Sequence, residues 1–163
     1  MSKRLEQAIL ERLAISPKER ILWWNGDWWT KERFLTLVDG CTKSLESSGF
    51  GKGQRLAVLL PNSPKVLALS IAAWRLGGAI SPLNAKSGIP SAVGTLALVD
   101  PFCVLLAEGL DELGAALLEK GIPSVMTGTD DPLPKLPRRE GTPESEDLAV
   151  IFATSGTTGL PKA

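Results

Sequence analysis

The chain has 163 residues, enough for one domain with a substantial core, because a domain of ~150 residues buries roughly 70% of the surface that its unfolded chain exposes. Apolar residues make up 44% of the chain, and 18 Lys and Arg residues balance 18 Asp and Glu residues, which is typical of a globular protein and argues against an electrostatic nucleic-acid binder. The sequence has no histidine, which excludes a Ser-His-Asp triad, a histidine metal ligand and an imidazole general base from this chain.

The first thirty residues predict a short helix and then a β-hairpin. Apolar residues recur at a spacing of four, with charged residues between them: Leu5, Ile9 and Leu13. This spacing indicates an amphipathic helix that ends before Pro17. Residues 20–24 and 28–30 then have strand-like patterns on either side of a turn at residues 25–27, whose Asn-Gly pair supplies the positive φ that a tight turn requires.

Four of the hairpin residues are tryptophans: Trp23, Trp24, Trp28 and Trp29. One interpretation is an aromatic binding face. The other is a set of cross-strand aromatic pairs with one face of the hairpin packed on the domain. We favour the second, because adjacent tryptophans in a strand point to opposite faces.

The next segment predicts a capped helix. Thr30 has the position of an N-cap, Glu32 lies in the first turn, and Gly49 takes the C′ position at the other end. One face of this helix is apolar: Phe34, Leu37, Val38, Cys41 and Leu45.

From residue 55 onward, strand and helix patterns alternate. The strand patterns occupy residues 55–60, 79–82, 102–107 and 122–126. The helical patterns lie between them: one from the Ser63 cap and Pro64 to Gly77 and Gly78, then residues 90–99 and 110–120. Alternation of this kind favours a parallel sheet with helices on both faces. We therefore predict an α/β fold with three αβα layers and a mainly parallel sheet, flavodoxin-like or Rossmann-like.

Residues 127–147 contain four prolines and many charges without periodicity, which predicts an exposed internal connector before a last strand at residues 148–153. Cys41 and Cys103 lie in apolar surroundings and are expected to be buried, reduced thiols, as suits a reducing cytosol. The N-terminus has no apolar signal-peptide core, and the longest apolar stretch is shorter than the ~20 residues of a membrane span. We therefore expect a cytoplasmic protein without a membrane span.

The most informative stretch follows that last strand. Residues 154–162, which we call the phosphate loop, combine two glycines, four hydroxyl side chains and a lysine: Thr154, Ser155, Gly156, Thr157, Thr158, Gly159 and Lys162. The glycines let an anion approach the main chain, whose successive N–H groups can form a concave nest for phosphate oxygens. The hydroxyls add donors and the lysine adds a mobile positive charge. The position fits, because ligands of open α/β sheets bind beyond the carboxyl ends of strands.

The spacing of this loop differs from that of the P-loop of common NTPases. The P-loop has four residues between its glycines and a lysine directly after the second one. Here two residues separate Gly156 from Gly159 and two more precede Lys162. This spacing excludes the interpretation of the chain as a GTPase or an ordinary kinase. On chemistry alone, the stretch is either a phosphate site or a plain Gly/Thr/Pro turn.

Read as TSGTTGLPK, residues 154–162 resemble without a break the signature loop of the adenylate-forming superfamily, which includes acyl- and aryl-CoA ligases, luciferases and the adenylation domains of peptide synthetases. The next family position is usually Gly and is Ala163 here. Two earlier segments are similar to the family in the same order: residues 51–62, with Gln54 where Asp is usual, and residues 74–84, whose Pro-Leu-Asn ending leans toward CoA ligases.

The resemblance implies an enzyme that uses ATP to convert a carboxylic acid to an acyl-adenylate, with release of pyrophosphate, before a thiol, often coenzyme A, takes the acyl group. It implies that the seven loop residues named above grip the β- and γ-phosphates, positioning them and stabilising the charge on the leaving pyrophosphate. Mg²⁺ would enter with ATP, and its protein ligand is expected beyond Ala163.

The resemblance also implies that residues 1–163 are the N-terminal subdomain of an AMP-binding domain, cut just after the phosphate loop. The catalytic residues and the adenine, ribose and magnesium motifs are expected downstream of Ala163, so we expect the chain alone to be inactive. We also expect it to self-associate through surface that truncation exposes. Two alternatives stay open: a stand-alone non-catalytic module that binds nucleotide or a partner protein, and a purely structural α/β domain.

Overall fold

The computed structural model describes residues 4–137 and 148–152. Its elements follow one another in this order: α1 (Leu5–Ala14), β1 (Arg20–Trp24), β2 (Asp27–Thr30), α2 (Lys31–Ser47), β3 (Arg55–Leu59), α3 (Pro64–Arg75), β4 (Ala79–Pro82), α4 (Ile89–Val99), β5 (Cys103–Leu106), α5 (Asp111–Glu119) and β6 (Ser124–Met126). The elements predicted between residues 55 and 126 are confirmed, with bounds that differ by one or two residues. Of the strand predicted at residues 148–153, residues 148–152 are described and form a single isolated bridge, at Val150. A 3-10 helix, Ala85–Ser87, was not predicted.

The main sheet is parallel, and its strands lie in the order β4-β3-β5-β6. In the central strand β3, Leu56 is paired with Ile80 on one side and with Cys103 on the other. The hairpin strands β1 and β2 form a separate antiparallel pair. Because the chain returns past β3 to reach β5, the helices after β3 and β4 are available to cover opposite faces of the sheet.

Two apolar cores, one on each face of the sheet, hold these helices. Alternate residues of the central strand enter different cores: Val58 packs with the residues of α2 and α3, whereas Ala57 packs with those of α4 and α5. Leu45 and Leu69 are fully buried in the first core, and Leu96 is fully buried in the second. The strands are therefore covered on both faces, which confirms the predicted three-layer αβα arrangement.

The hairpin forms as predicted. Asn25 and Gly26 both have positive φ, 49° and 79°, as its tight turn requires. Trp23 and Trp28 are direct cross-strand partners whose rings meet edge to face at 5.5 Å. The predicted aromatic pairing is confirmed, but this pair lies at the surface, with 59% and 45% of the two residues exposed, while Leu22 packs against the first core.

The starts of α2 and α3 differ. The Thr30 hydroxyl accepts a hydrogen bond from the Arg33 N–H at 3.2 Å and caps α2 as predicted. Ser63 occupies the N-cap position of α3 and Pro64 its first turn, but the Ser63 side chain makes no cap hydrogen bond. The prediction of Ser63 as a cap is therefore correct for its position and wrong for its hydrogen bond.

The first half of the predicted connector is irregular, as expected, but part of it is buried. Thr127 is 5% exposed and Leu136 is 2% exposed, so the expectation of an exposed stretch is wrong at these positions. The Leu136 N–H donates to the Ser48 hydroxyl, which ties this segment to the end of α2. This contact was not predicted, because no local sequence feature indicates which apolar residue of a proline-rich segment packs into a core.

Candidate functional site

The seven residues predicted to bind phosphate lie outside the described residues: Thr154, Ser155, Gly156, Thr157, Thr158, Gly159 and Lys162. Their role stays a prediction. The structure does describe the stretch that leads into the phosphate loop, residues 148–152, which we call the docked segment.

The docked segment lies along β4 and runs in the same direction. The Ile80 N–H donates to the Ala149 carbonyl at 3.1 Å, and the Ile151 N–H donates to the Ile80 carbonyl at 2.9 Å. Val150 forms a parallel bridge with Ile80 between these two bonds. The segment thus extends the parallel sheet beyond β4, and its last residue, Phe152, lies at the edge where all the strands end.

Two side chains from the body of the domain fasten this segment. The Trp74 indole N–H, at the end of α3, donates to the Ala149 carbonyl at 2.7 Å. The Ser81 hydroxyl, in β4, donates to the Ile151 carbonyl at 3.0 Å. Both residues fall in the stretch 74–84 that resembles the family, but their contact with the docked segment was not predicted, because it joins residues 70 or more positions apart.

The connection after β4 begins at the same edge of the sheet. The Leu83 N–H donates to the Val58 carbonyl at 3.0 Å, and the Asn84 side chain accepts from the Lys86 N–H at 2.9 Å. This turn starts the 3-10 helix. It lies just beyond Ser81, so an ordered backbone turn borders the place where the docked segment ends.

Lys65 is the buried cation near this edge, and its ammonium group is already bonded. Only 1% of the residue is exposed. Its Nζ donates to the Thr127 hydroxyl at 2.6 Å, the Gly128 carbonyl at 2.6 Å and the Asp131 carbonyl at 2.9 Å. An ammonium group has three donors, so Lys65 has none left for a phosphate.

Both cysteines are buried and free, as predicted. Burial raises the pKa of the Cys41 thiol to about 11 and that of the Cys103 thiol to about 12. A thiolate is the reactive form of cysteine, and both groups are held as thiols at neutral pH. These residues therefore act as small apolar side chains of the core.

Neither a metal centre nor a membrane-spanning helix is found in the described part of the chain. Residues 4–137 and 148–152 contain no group of three or more cysteine or acidic side chains that could hold a metal ion. No helix within these ranges is long and apolar enough to cross a bilayer.

Residues 10–163, nearly the whole chain, match the protein family described as AMP-binding enzyme. The chain therefore belongs to the AMP-binding enzyme family, which confirms the resemblance seen in its three segments. A feruloyl-CoA synthase from an Amycolatopsis species is 28% identical over 159 residues, covering 94% of this chain and 31% of that protein. The long-chain-fatty-acid–CoA ligase FadD13 of Mycobacterium tuberculosis is 29% identical over 143 residues, covering 82% of this chain and 28% of that protein. This chain thus spans about a third of the length of these curated relatives.

Solved structures share the fold. The crystal structure of VinN matches with a TM-score of 0.75 at 23% identity, covering 99% of this chain and 43% of that one. The inhibitor-bound N-terminal domain of FACL13 from Mycobacterium tuberculosis matches with a TM-score of 0.76 at 24% identity, covering 96% of this chain and 42% of that one. These matches confirm the predicted α/β fold. The N-terminal domain of FACL13 has the same fold.

Proposed function

We propose that this chain is the N-terminal part of an ATP-dependent carboxylate-activating ligase, and that its phosphate loop binds the β- and γ-phosphates of ATP. The observation that carries the proposal is the position of the docked segment. Two backbone hydrogen bonds and two side chains hold it parallel to β4, so that it ends at the edge of the sheet where ligands of open α/β folds bind. Membership of the AMP-binding family supports the same assignment.

In this proposal, each type of residue in the phosphate loop has a different role. Gly156 and Gly159 let main-chain N–H groups approach phosphate oxygens, and the hydroxyls of the loop donate further hydrogen bonds. Lys162 supplies the positive charge. Hydrogen bonds to a charged group contribute roughly 1.5–3 kcal/mol each, so a few of them hold the triphosphate and stabilise the charge that pyrophosphate carries as it leaves.

The contacts of the docked segment support this proposal. Trp74 and Ser81 fasten Ala149 and Ile151, which precede the phosphate loop in the chain. We propose that this anchoring helps to position the donors of the loop before ATP binds, because donors that are positioned in advance need no reorganisation during the reaction. Mg²⁺ would arrive with ATP and neutralise phosphate charge, but the described residues supply no ligand set for it, and we expect its ligand beyond Ala163.

The second half of the reaction is proposed from the relatives. One is named a feruloyl-CoA synthase, another a long-chain-fatty-acid–CoA ligase and a third, from Cupriavidus necator, a sulfoacetate–CoA ligase. We therefore propose coenzyme A as the acyl acceptor. The three named acids differ widely, so the test needs an aromatic, a long-chain and a small polar carboxylate.

The experiment is carboxylate-dependent exchange of pyrophosphate into ATP, measured on the full-length parent enzyme. Lys162→Ala should raise the KM for ATP and lower the exchange rate by tenfold or more, since a lost charge-assisted bond of ~1.5–3 kcal/mol corresponds to about one to two orders of magnitude. Lys120→Ala removes an exposed lysine after α5 and is the matched control. Equal exchange rates for the two variants would refute the assignment of the loop.

The same assay applied to residues 1–163 tests whether this subdomain, with its internal connector at 127–147, acts alone. We propose that it does not form an acyl-adenylate. Robust exchange by the 163-residue chain would contradict this. Weak ATP binding that Lys162→Ala abolishes, without exchange in the parent, would favour a non-catalytic nucleotide-binding module instead.

An apolar surface beside the docked segment supports self-association of the isolated chain. Leu98 of α4 is 56% exposed, Leu148 is 39% exposed and Phe152 is 67% exposed, and all three line one groove of about 360 Å³. Contiguous exposed apolar side chains promote association. Sedimentation should show a dimer or larger species that Phe152→Ser reduces. A monomer at high concentration would contradict it.

A further inference from the structure

The hairpin and the neighbouring turn of α3 share an exposed apolar surface. Trp23 and Trp28 are 59% and 45% exposed, although their rings meet edge to face at 5.5 Å. Leu67 of α3 is 50% exposed and lines one cavity together with Trp23. The three side chains are therefore contiguous, and we call them the hairpin patch. Contiguous exposed apolar surface is typical of interaction sites.

The hairpin patch places an exposed ring beside a hollow. The cavity that Trp23 borders has a volume of about 250 Å³ and lies between β1 and the start of α3. Most of its remaining walls are apolar: Leu22, Trp24, Pro64 and Val66. The volume is below the ~300–1,000 Å³ typical of small-molecule pockets, and it suits a single large side chain of a partner.

A ring and a hollow side by side on one patch fit a second copy of the same chain. In a two-fold interface both copies use the same patch, and each contact occurs twice. Trp23 of either copy can then fill the hollow of the other. An unrelated partner would have to supply both a side chain for the hollow and a pocket for Trp23.

The charges around the patch also favour a second copy. No charged side chain of the described residues lines the cavity, and Asp27 at the hairpin turn is paired with Arg33 at 2.8 Å. Two identical patches bring like charges together, so self-association needs a patch that is close to neutral. An anionic membrane surface is instead recognised by clusters of Lys and Arg.

We propose that the hairpin patch is a two-fold contact between two copies of this chain, in which Trp23 of each copy enters the hollow of the other beside Leu67. The hollow shares no lining residue with the groove that Leu98 and Phe152 line. The contact is separate from the phosphate loop and does not depend on the proposed ligase activity.

The contact is expected to be weak. An aromatic side chain buries ~150–250 Å² when it is fully covered, and both tryptophans are already about half covered. The patch therefore falls short of the ~800 Å² per partner of a standard interface. We expect a reversible dimer that forms at high protein concentration and depends most on Trp23, since tryptophans that fill pockets dominate small interfaces.

The test is sedimentation of the 163-residue chain carrying Phe152→Ser, which removes the exposed ring of the docked segment as a second source of association. In this background, Trp23→Ser should raise the dimer dissociation constant at least tenfold, the effect of losing a central tryptophan. Leu118→Ser is the matched control, because Leu118 is 78% exposed on α5 and lies outside the patch. It should leave the constant unchanged.

Two charge variants test whether the partner is a second copy. Leu67 is half exposed, so Leu67→Asp and Leu67→Lys should both fold. Each alone should weaken the dimer at least tenfold, because like charges then meet in the two-fold contact. An equimolar mixture should recover association, because mixed dimers bring opposite charges together. Low ionic strength keeps these charges unscreened.

The proposal is overturned if the Phe152→Ser chain stays monomeric at millimolar concentration, or if Trp23→Ser and Leu118→Ser dimerise alike. It is also overturned if the mixed Leu67 variants associate no more than either alone. Binding of a monomeric chain to phosphatidylcholine–phosphatidylserine vesicles, lost in Trp23→Ser, would assign the patch to a membrane surface instead. None of these results bears on pyrophosphate exchange, so this test and that of the ligase activity fail independently.

Discussion

At the scale of single residues, Lys65 shows how one charged side chain can hold two distant parts of the chain together. Its stem lies in the first turns of α3 and its ammonium group donates to three oxygens of residues 127–131. Burial lowers the pKa of Lys65, while the three oxygens satisfy its donors. A buried ammonium is tolerated only with such partners.

We predict that Lys65→Met lowers the free energy of unfolding by about 1–3 kcal/mol. Methionine keeps the apolar stem but leaves three oxygens without their donor. Urea unfolding measures the change, and Lys43→Met, at an exposed position of α2, should stay within ~0.5 kcal/mol of the parent. If the two variants are equally stable, Lys65 does not fasten residues 127–131.

Gly78 illustrates a different constraint, the close approach of neighbouring atoms. A Cβ at this position would lie 2.5 Å from Phe50 Cζ and 2.8 Å from the Gln54 carbonyl oxygen. Gly78 therefore does more than end α3, the role that its position after the helix suggested. Because this glycine contacts backbone atoms, a larger residue at position 78 would force that backbone to move.

Gly78→Ala should destabilise the protein by roughly 1–3 kcal/mol, the usual cost of overpacking. Gly94→Ala is the matched control, because a Cβ there meets nothing within 4 Å and the position lies inside α4. Alanine in a helix interior is favoured over glycine, so this variant should gain up to ~1 kcal/mol. Thermal unfolding should show a lower melting temperature for Gly78→Ala and a higher one for Gly94→Ala if the packing around Gly78 is as described.

At the scale of elements, α2 and α3 begin with similar sequences, but their N-cap residues differ in their hydrogen bonds. Both helices have a hydroxyl residue at the N-cap, but only Thr30 makes the cap hydrogen bond. The Ser63 hydroxyl is instead buried without a hydrogen-bond partner in the described part of the chain. The helix α3 is held by its packing, since residues Ala68, Leu69 and Ala72 are fully buried.

The two caps should therefore respond differently to alanine. Thr30→Ala should lower the stability by about 1 kcal/mol, the usual cost of a lost cap. Ser63→Ala should cost clearly less, because it removes a hydroxyl that has no partner in the described structure. Chemical denaturation of both variants checks this difference, and a larger loss for Ser63→Ala would show that its hydroxyl is bonded.

At the scale of the whole molecule, the docked segment connects the fold to the proposed function. It adds a strand-like stretch beside β4, although the chain reaches it only after leaving β6 at the far side of the sheet. Its hold on the domain consists of few bonds, and Phe152 at its end is 67% exposed. The stretch that leads into the phosphate loop is therefore held by a small number of named contacts.

The double variant Trp74→Phe, Ser81→Ala should loosen this segment without unfolding the domain. It removes both side-chain hydrogen bonds and leaves the backbone bonds with Ile80. Hydrogen exchange at the Ile151 amide should become at least tenfold faster, while the amides of β3 and β5 stay protected. Unchanged exchange at Ile151 would show that the backbone bonds alone hold the segment.

Most elements were predictable because their signals are local. The spacing of Leu5, Ile9 and Leu13, the Asn-Gly turn and the glycine after α2 each lie within a few residues and act through the backbone that carries them. The 3-10 helix was missed because Asn84 starts it with a side-chain bond that has no periodic pattern. The start of β6 was predicted two residues too early, because Ile122 and Pro123 continue the apolar pattern ahead of the first ladder pair, Ser124 with Val104.

The sequence by itself determined the alternation of strands and helices, the three-layer class and the family, because periodicity, caps and a nine-residue loop motif are properties of short stretches of chain. Only the tertiary structure decided that Lys65 bonds to residues 127–131, that Trp74 fastens Ala149, and that the Ser63 hydroxyl is left without a partner in the described chain. Each of these depends on distances between residues that are far apart in sequence. Such distances are set by how the layers pack, and no local pattern encodes them.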